Sequence, residues 1–346
     1  MKHTWAWVSW LVAALAVLTL TRNPLYLILA LLCIVFVALT FRQAEAVSPR
    51  PFSLWKFAVF VILLATAFNA LTSHYGETVL FTIPGKIPLL SGNVTLEALV
   101  YGTTNGLVLT GMLASFVVLN LALPVRALIS LIPRAFYPVA VVTSIAVTYV
   151  PTTLRQFQNI REAQAVRGHQ VRTLRDWLPL LMPLLVGGLE HAMQLAEAMT
   201  ARGFASPITM TGAVKSYQRI VMLLGLAMLA AGWVLKLAVK GGTGWVLISL
   251  GALLIVWGLW LLGRQTPRTS YHRLTWHWQD TLALCGALIV LAACLLPLPG
   301  VGRETLYYSP YPILSMPAFD PWLGLALLGL LVPGLLKQSQ GGERAE

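Results

Sequence analysis

Glu162-Ala163-Gln164-Ala165-Val166-Arg167-Gly168 and Glu197-Ala198-Met199-Thr200-Ala201-Arg202-Gly203 share one pattern, E-A-x-x-(V/A)-R-G, and lie 35 residues apart. Glu, Ala, Gln and Met favour helix, and a Gly directly after such a run predicts a left-handed cap at Gly168 and Gly203. An Arg just before that cap complements the negative end of the helix dipole. Its guanidinium projects from the helix tip, where a planar fork of donors suits the carboxylates or carbonyls of a docking partner. One copy alone reads as an ordinary helix end. Two copies in the largest basic region of the chain read as a repeated docking device.

The chain around this repeat has 346 residues, 58% hydrophobic and 10% charged, where a soluble domain carries about a quarter charged. Apolar runs approaching the ~20 residues that cross a bilayer recur along it. They lack the alternating polarity of barrel strands and must satisfy their own backbone in lipid, so they predict helices. The expected fold is all-α: a polytopic membrane protein of about eight transmembrane helices with two cytoplasmic coupling helices. The net charge of +12 falls in short loops beside spans, the pattern of membrane orientation. No zinc-finger, basic-zipper or RNA-binding signature accompanies it, so no nucleic-acid partner is expected. Cys33, Cys285 and Cys294 sit in apolar runs without a C-x-x-C and are expected as small buried hydrophobes. The first apolar run lacks a small-residue cleavage site and leads straight into another span, so it is expected to be retained.

Working outward, the expected spans are Trp5–Leu20, Pro24–Phe41, Trp55–Leu71 and Glu97–Leu121, then Arg219–Leu237, Trp245–Leu262, Leu282–Leu298 and Trp322–Leu335. A Pro-containing loop, Val47 to Pro51, precedes the third span. Thr72 to Thr95 carries Gly76, Pro84, Gly85, Pro88 and Gly92 and reads as a loop. Gly102, Gly106, Gly111, Ala114 and Ser115 in the fourth span allow close helix contact. Val125–Pro133 reads as a short amphipathic piece. Tyr137–Val150 is short for a span, and Pro151 is expected to kink the helix that continues to the first Arg-Gly. A basic turn with Arg172 and Arg175 follows. The second helix, from about Trp177 or Pro183 to Arg202, carries Leu181, Leu184, Leu185, Gly188, Ala192, Leu195 and Met199 on one apolar stripe. Gly300–Pro321 reads as a loop. Residues 1–121 thus form N-terminal membrane helices, 122–214 a coupling region, and 215–346 C-terminal membrane helices with a polar tail.

With the N-terminus in the cytoplasm and a crossing at each span, the other side keeps only Arg22, Lys86, Lys236, Lys240 and Arg303 of the 24 basic residues. That bias places both termini and both Arg-Gly motifs inside.

Phe136-Tyr137-Pro138, Tyr149-Val150-Pro151, Arg161 to Gly168 and Ala198 to Phe204 together resemble the transmembrane T component of energy-coupling factor (ECF) transporters. Those are the vitamin and transition-metal importers of the ABC superfamily. The resemblance runs from Trp5 to Leu262 and is strongest from Pro133 to Phe204. It implies a prokaryotic cell-membrane protein whose coupling helices dock on two cytosolic ABC ATPase subunits and hold a small membrane substrate-capture (S) subunit. It further implies that Val166, Arg167, Gly168, Ala201, Arg202 and Gly203 couple to the ATPases, with Arg167 and Arg202 in their two grooves. Glu162, Gln164, Glu197 and Pro151 support the coupling helices. No cofactor, metal or catalytic residue is implied, and no residue names the substrate. Two features depart from the family pattern: Val166 stands for its usual Ala, and the chain beyond Arg264 adds two spans.

Three rivals differ in testable ways. A conventional ABC permease carries one E-A-A loop with a Gly four residues later, as Glu162-Ala163-Gln164 and Gly168 do, but the second copy at Glu197 counts against it. A secondary transporter needs ionisable groups at bilayer depth; the first four spans offer no mid-membrane carboxylate, only Asn69, Asn105 and Asn120. A membrane enzyme needs a catalytic constellation. His3, His169 and His191 form no H-E-x-x-H pair, and Glu190 is merely adjacent to His191. His272 and His277, with Trp276 and Trp278, read as an interfacial rim. No Walker A or G-x-S-x-G motif occurs, so ATP chemistry must come from a partner.

Overall fold

Seventeen residues between His3 and Thr21 contain no Gly, Pro or charge, and they form α1 (Thr4–Leu20). Pro24, at the first helical position where its missing N–H costs nothing, opens α2 (Pro24–Arg42). In this computed structural model the described residues are 3–42, 54–73, 75–83, 92–169, 173–204, 212–238, 242–265, 276–296, 302–311 and 314–342. The Val47–Pro51 loop, Pro84, Gly85 and Pro88, Arg172 and His272 lie outside them. The further helices are α3 (Leu54–Thr72), α4 (Leu96–Ala122), α5 (Val125–Ile129), α6 (Tyr137–Val166), α7 (Leu178–Ala201), α8 (Gly212–Ala238), α9 (Thr243–Gln265), α10 (Trp278–Leu295), α11 (Pro321–Leu327) and α12 (Val332–Gly342). The fold is all-α and polytopic, as the apolar runs predict.

Among the described residues eight helices are long and apolar enough to cross a membrane: α2, α3, α4, α6, α7, α8, α9 and α10. The number agrees with expectation, but the membership differs. Helix α6 is continuous over 30 residues with Pro151 inside it; the proline removes one backbone hydrogen bond without ending the helix. It and α7 join the set by length and composition. Helix α1 and the Pro321–Lys337 run are shorter. The expected single span Trp322–Leu335 is broken: a 3-10 segment, Leu328–Leu331, separates α11 from α12 just before Pro333.

The chain forms two compact units. The first comprises residues 1–124 and 272–346, the second 125–271. In the first, α1 packs on α10 and α4, α2 on α4, and α3 on α4. Its core holds Trp7, Trp10, Tyr26, Leu27, Ile34, Leu323, Leu327 and Leu330, all fully buried. Trp7 meets Phe41 edge-on at 4.9 Å. Trp10 donates its indole N–H to the Leu330 carbonyl at 2.9 Å, satisfying a group that the 3-10 break leaves free. As the small residues predict, Gly102 and Gly106 let α4 approach the α3 backbone at Thr66 and Ile62, and Gly111 admits Leu18 of α1. Cys33 and Cys294 are buried as expected, but Cys285 is exposed, on a face of α10 turned from the core.

Of the two segments expected as loops, the first pairs as strands and the second is irregular among its described residues apart from one 3-10 turn, Arg303–Leu306. Val79–Ile83 (β1) and Gly92–Thr95 (β2) pair antiparallel, with Val79 opposite Thr95 and Ile83 opposite Gly92. β-Branched residues at Val79, Thr82, Ile83, Val94 and Thr95 outweigh the flanking Gly and Pro. Beneath this hairpin Glu97 is buried and accepts hydrogen bonds from the Thr78 N–H and hydroxyl. The 302–320 segment caps the α1–α2 turn. Asn23 donates to the Thr305 and Ala318 carbonyls at 2.9 and 2.7 Å, and Asp320 donates its N–H to the Tyr26 hydroxyl at 2.7 Å.

In the second unit α8 and α9 form a close antiparallel pair. Gly225 and Gly232 of α8 and Gly244 and Gly251 of α9 bring the backbones into contact; a methyl group on Gly251 would lie 2.9 Å from the Gly225 carbonyl and the Leu229 nitrogen. The 3-10 turn Arg134–Phe136 packs on α9, α5 on α6, and α6 on α7.

Candidate functional site

Helices α6 and α7 end in the same geometry. At the first, the Gly168 N–H bonds the Ala165 carbonyl at 2.9 Å and the His169 N–H bonds Gln164 at 3.0 Å. At the second, Gly203 bonds Thr200 at 2.9 Å and Phe204 bonds Met199 at 3.0 Å. Both are Schellman caps, each closed by a Gly of positive φ, +79° at Gly168 and +74° at Gly203. Arg167 and Arg202 are the C-cap residues themselves, and both are exposed. The cap satisfies two carbonyls at each helix end with backbone donors, so neither of these depends on the guanidinium.

The two helices run antiparallel. Tyr137 faces Phe204 at 5.9 Å, Tyr149 stacks on His191 at 5.2 Å, and Phe157 stacks on Trp177 at 6.2 Å. The turn between them is pinned: His169 hydrogen-bonds the Asp176 carbonyl through Nε2 at 2.8 Å, and the Asp176 carboxylate accepts the Thr173 N–H at 2.8 Å. Arg167 therefore sits at the turn end of the pair and Arg202 at the open end. The 24-residue α7, about 36 Å long, lies between the two tips.

The other predicted residues fall around these tips. Val166 is 90% exposed, and Ala201, Glu162 and Glu197 are also exposed. Gln164 is half-buried and lends its carbonyl to the cap. Pro151 is exposed within α6. No ion pair joins Glu162 to Arg167 or Glu197 to Arg202 among the described residues. Of the expected stripe on α7, Leu184, Gly188, Leu195 and Met199 are half-buried, whereas Leu181, Leu185 and Ala192 are exposed.

Sequence reading missed the crossing itself. Gly187 admits the Gln156 amide and Gly188 the Tyr149 hydroxyl, which is buried without a hydrogen-bond partner. Adjacent glycines inside a helix cost roughly 1 kcal/mol each against Ala, and that cost was the available signal of a close approach. Elsewhere, Asn69 and Asn120 bond carbonyls one turn back on their own helices, and Asn105 accepts from Arg22. No group of three His, Cys, Asp or Glu stands ready to hold a metal among the described residues.

Comparison with known proteins covers the same region. The family model described as CbiQ, cobalt transport protein, matches residues 2–212. An energy-coupling factor transporter transmembrane protein EcfT from Heliobacterium modesticaldum is 31% identical over 200 residues, 52% of this chain and 71% of the relative. The EcfT of Leuconostoc gelidum subsp. gasicomitatum is 32% identical over 111 residues, 29% of this chain and 41% of the relative. That of Limosilactobacillus fermentum is 28% identical over 157 residues, 42% and 58% respectively. The chain thus spans less than two thirds of the length of two of these relatives.

Proposed function

The chain belongs to the CbiQ family of cobalt transport proteins, and on that premise we propose that it is the T component of an ECF-type importer. It transmits the movement of two cytosolic ABC ATPase subunits to a small membrane subunit that captures the substrate, a vitamin or a transition-metal ion. Residues 122–214 serve as the coupling region between membrane helices 1–121 and 215–346. Hydrolysis belongs to the partners, and this chain is non-catalytic.

The observation that carries this reading is the duplicated tip. Two identical caps, each presenting an exposed Arg, stand at opposite ends of one helix pair. Two ATPase subunits offer two grooves, and a pair of separated tips can fill both. The same geometry bears on how α6 and α7 lie. As an antiparallel pair they add an even number of crossings if they span, leaving every other loop on its side. Spanning would, however, carry Arg155, Arg161, Arg167, Arg172 and Arg175 to the outer face, against the charge bias of the whole chain. We therefore place the pair along the cytoplasmic face of the cell membrane, with both tips and both termini inside.

Substitution at the tips tests the proposal. Arg167→Ala and Arg202→Ala each remove charge-assisted bonds at an interface, typically about 2–5 kcal/mol. Each variant is expected to weaken ATPase capture and uptake, the double variant more than either. Arg→Lys rescues in part, since an ammonium lacks the planar fork. Mere helix-end stabilisation would cost about 0.3–1 kcal/mol of stability and leave uptake intact. Normal uptake by the double alanine variant, at equal expression, ends the proposal.

A further inference from the structure

The last turns of α9 hold a cavity for which coupling has no use. Val256, Leu259, Trp260, Gly263 and Arg264 line it, with Pro133 opposite, and its volume is about 440 Å³. Steps of three and four put the five α9 residues on one face of the helix. That face is graded. Val256 and Leu259 are apolar, Trp260 is amphipathic, and Arg264 stands in the final turn. From Val256 to Arg264 the gradient covers roughly 12 Å along the axis. Pro133 precedes the 3-10 turn that packs on α9 and closes the far wall.

The Arg264 guanidinium lies 3.8 Å from the Trp260 ring centroid. This contact fixes its direction without neutralising it. Among the described residues no acidic side chain lines the cavity and no ion pair to Arg264 occurs. The volume lies within the range of small-ligand sites. A cation at one end of the lining and an apolar wall along the rest demand a ligand with an anionic head and a hydrocarbon tail. Inorganic phosphate satisfies only the first demand, and a neutral lipid only the second.

We infer that this cavity binds one anionic phospholipid of the bilayer, its phosphate on Arg264 and an acyl chain along Val256 and Leu259 against Pro133. Basic pockets beside transmembrane helices at the cytoplasmic boundary recognise anionic headgroups in this way. Trp260 at the interface supports the cation and the glycerol level together.

Native mass spectrometry of the purified full chain in neutral detergent tests this without any ATPase or substrate subunit. A failure here therefore leaves the coupling reading untouched, and a failure of coupling leaves this site untouched. Phosphatidylglycerol, phosphatidylcholine and glycerol 3-phosphate are titrated separately. The first phosphatidylglycerol adduct is expected to form about fivefold more tightly than that of phosphatidylcholine, the worth of one Arg near an anionic headgroup. Glycerol 3-phosphate leaves no adduct. Arg264→Gln brings phosphatidylglycerol down to the phosphatidylcholine level, and Arg264→Lys keeps a preference. Val256 is 65% exposed, so Val256→Trp fills the cavity without disturbing a packed core, and it abolishes the tight adduct with Arg264 in place. Equal adducts for the two lipids, an unchanged preference in Arg264→Gln, or an unchanged tight adduct in Val256→Trp would each overturn the assignment.

Discussion

Gly168 and Gly203 hold backbone angles that an L side chain reaches only at a cost of roughly 1–2 kcal/mol. A β-carbon at Gly168 meets no other atom within 4 Å, so that cost there is purely conformational. Gly168→Ala is expected to fray the last turn of α6 and misdirect Arg167 without touching it. ATPase capture should then fall part of the way towards the Arg167→Ala value, with Gly168→Asn, which tolerates the left-handed region, falling less. Pull-down of the ATPases by each variant measures this; equal capture by all of them would mean the cap does not aim the Arg. Asn23 makes a second residue-scale case. Its amide serves two carbonyls of the 302–320 segment, and Asn23→Ala leaves both short of a donor. At about 1–3 kcal/mol for each group left unsatisfied, the variant should melt well below the parent while its membrane insertion is unchanged.

Among the elements, α8 and α9 depend on bare backbone. Gly251→Leu would drive a side chain into the Gly225 carbonyl and the Leu229 nitrogen, which cannot swing aside. The pair should separate, seen as loss of a cross-link engineered between Leu229 and Leu250. Gly187→Ala is the contrasting case. Its added carbon meets only the tip of Gln156, a flexible amide, so the gain in helix propensity of about 1 kcal/mol survives and thermal stability should rise slightly. Much at this scale is legible in the sequence. Gly102 and Gly106 announce the α3–α4 contact, and the two Arg-Gly tips announce their own caps. What escapes it is pairing. Nothing local says that Tyr149 meets His191, because that contact depends on two helices folding back through a turn held by His169 and Asp176. The β-hairpin escapes for another reason: Pro84, Gly85, Pro88 and Gly92 speak louder than the alternating β-branched residues beside them. The break at Leu328–Leu331 escapes because an apolar run reads alike whether its backbone is α or 3-10; only the Trp10 bond to Leu330 marks it.

For the whole molecule, sidedness is the first consequence to measure. In a chain with Cys33, Cys285 and Cys294 replaced by Ala, Thr173→Cys and Phe204→Cys should both react with an impermeant thiol reagent from the cytoplasm. Leu80→Cys and Tyr307→Cys should react from outside. Labelling of Thr173→Cys and Phe204→Cys from opposite faces would mean that α6 and α7 span. The make-up of the first compact unit bears on how the protein is made. It joins residues 1–124 to 272–346, whereas the second unit is one continuous stretch. The carbonyl partner of Trp10, at Leu330, leaves the ribosome 320 residues after Trp10 does. At about 5–20 residues per second that is a wait of roughly 16–64 s. The second unit is complete by residue 271, so it can close while the Trp10 indole N–H still lacks its carbonyl. Residues 272–346 thus act as the clasp on residues 1–124, and nascent chains arrested short of Leu330 should show a more accessible, protease-sensitive α1.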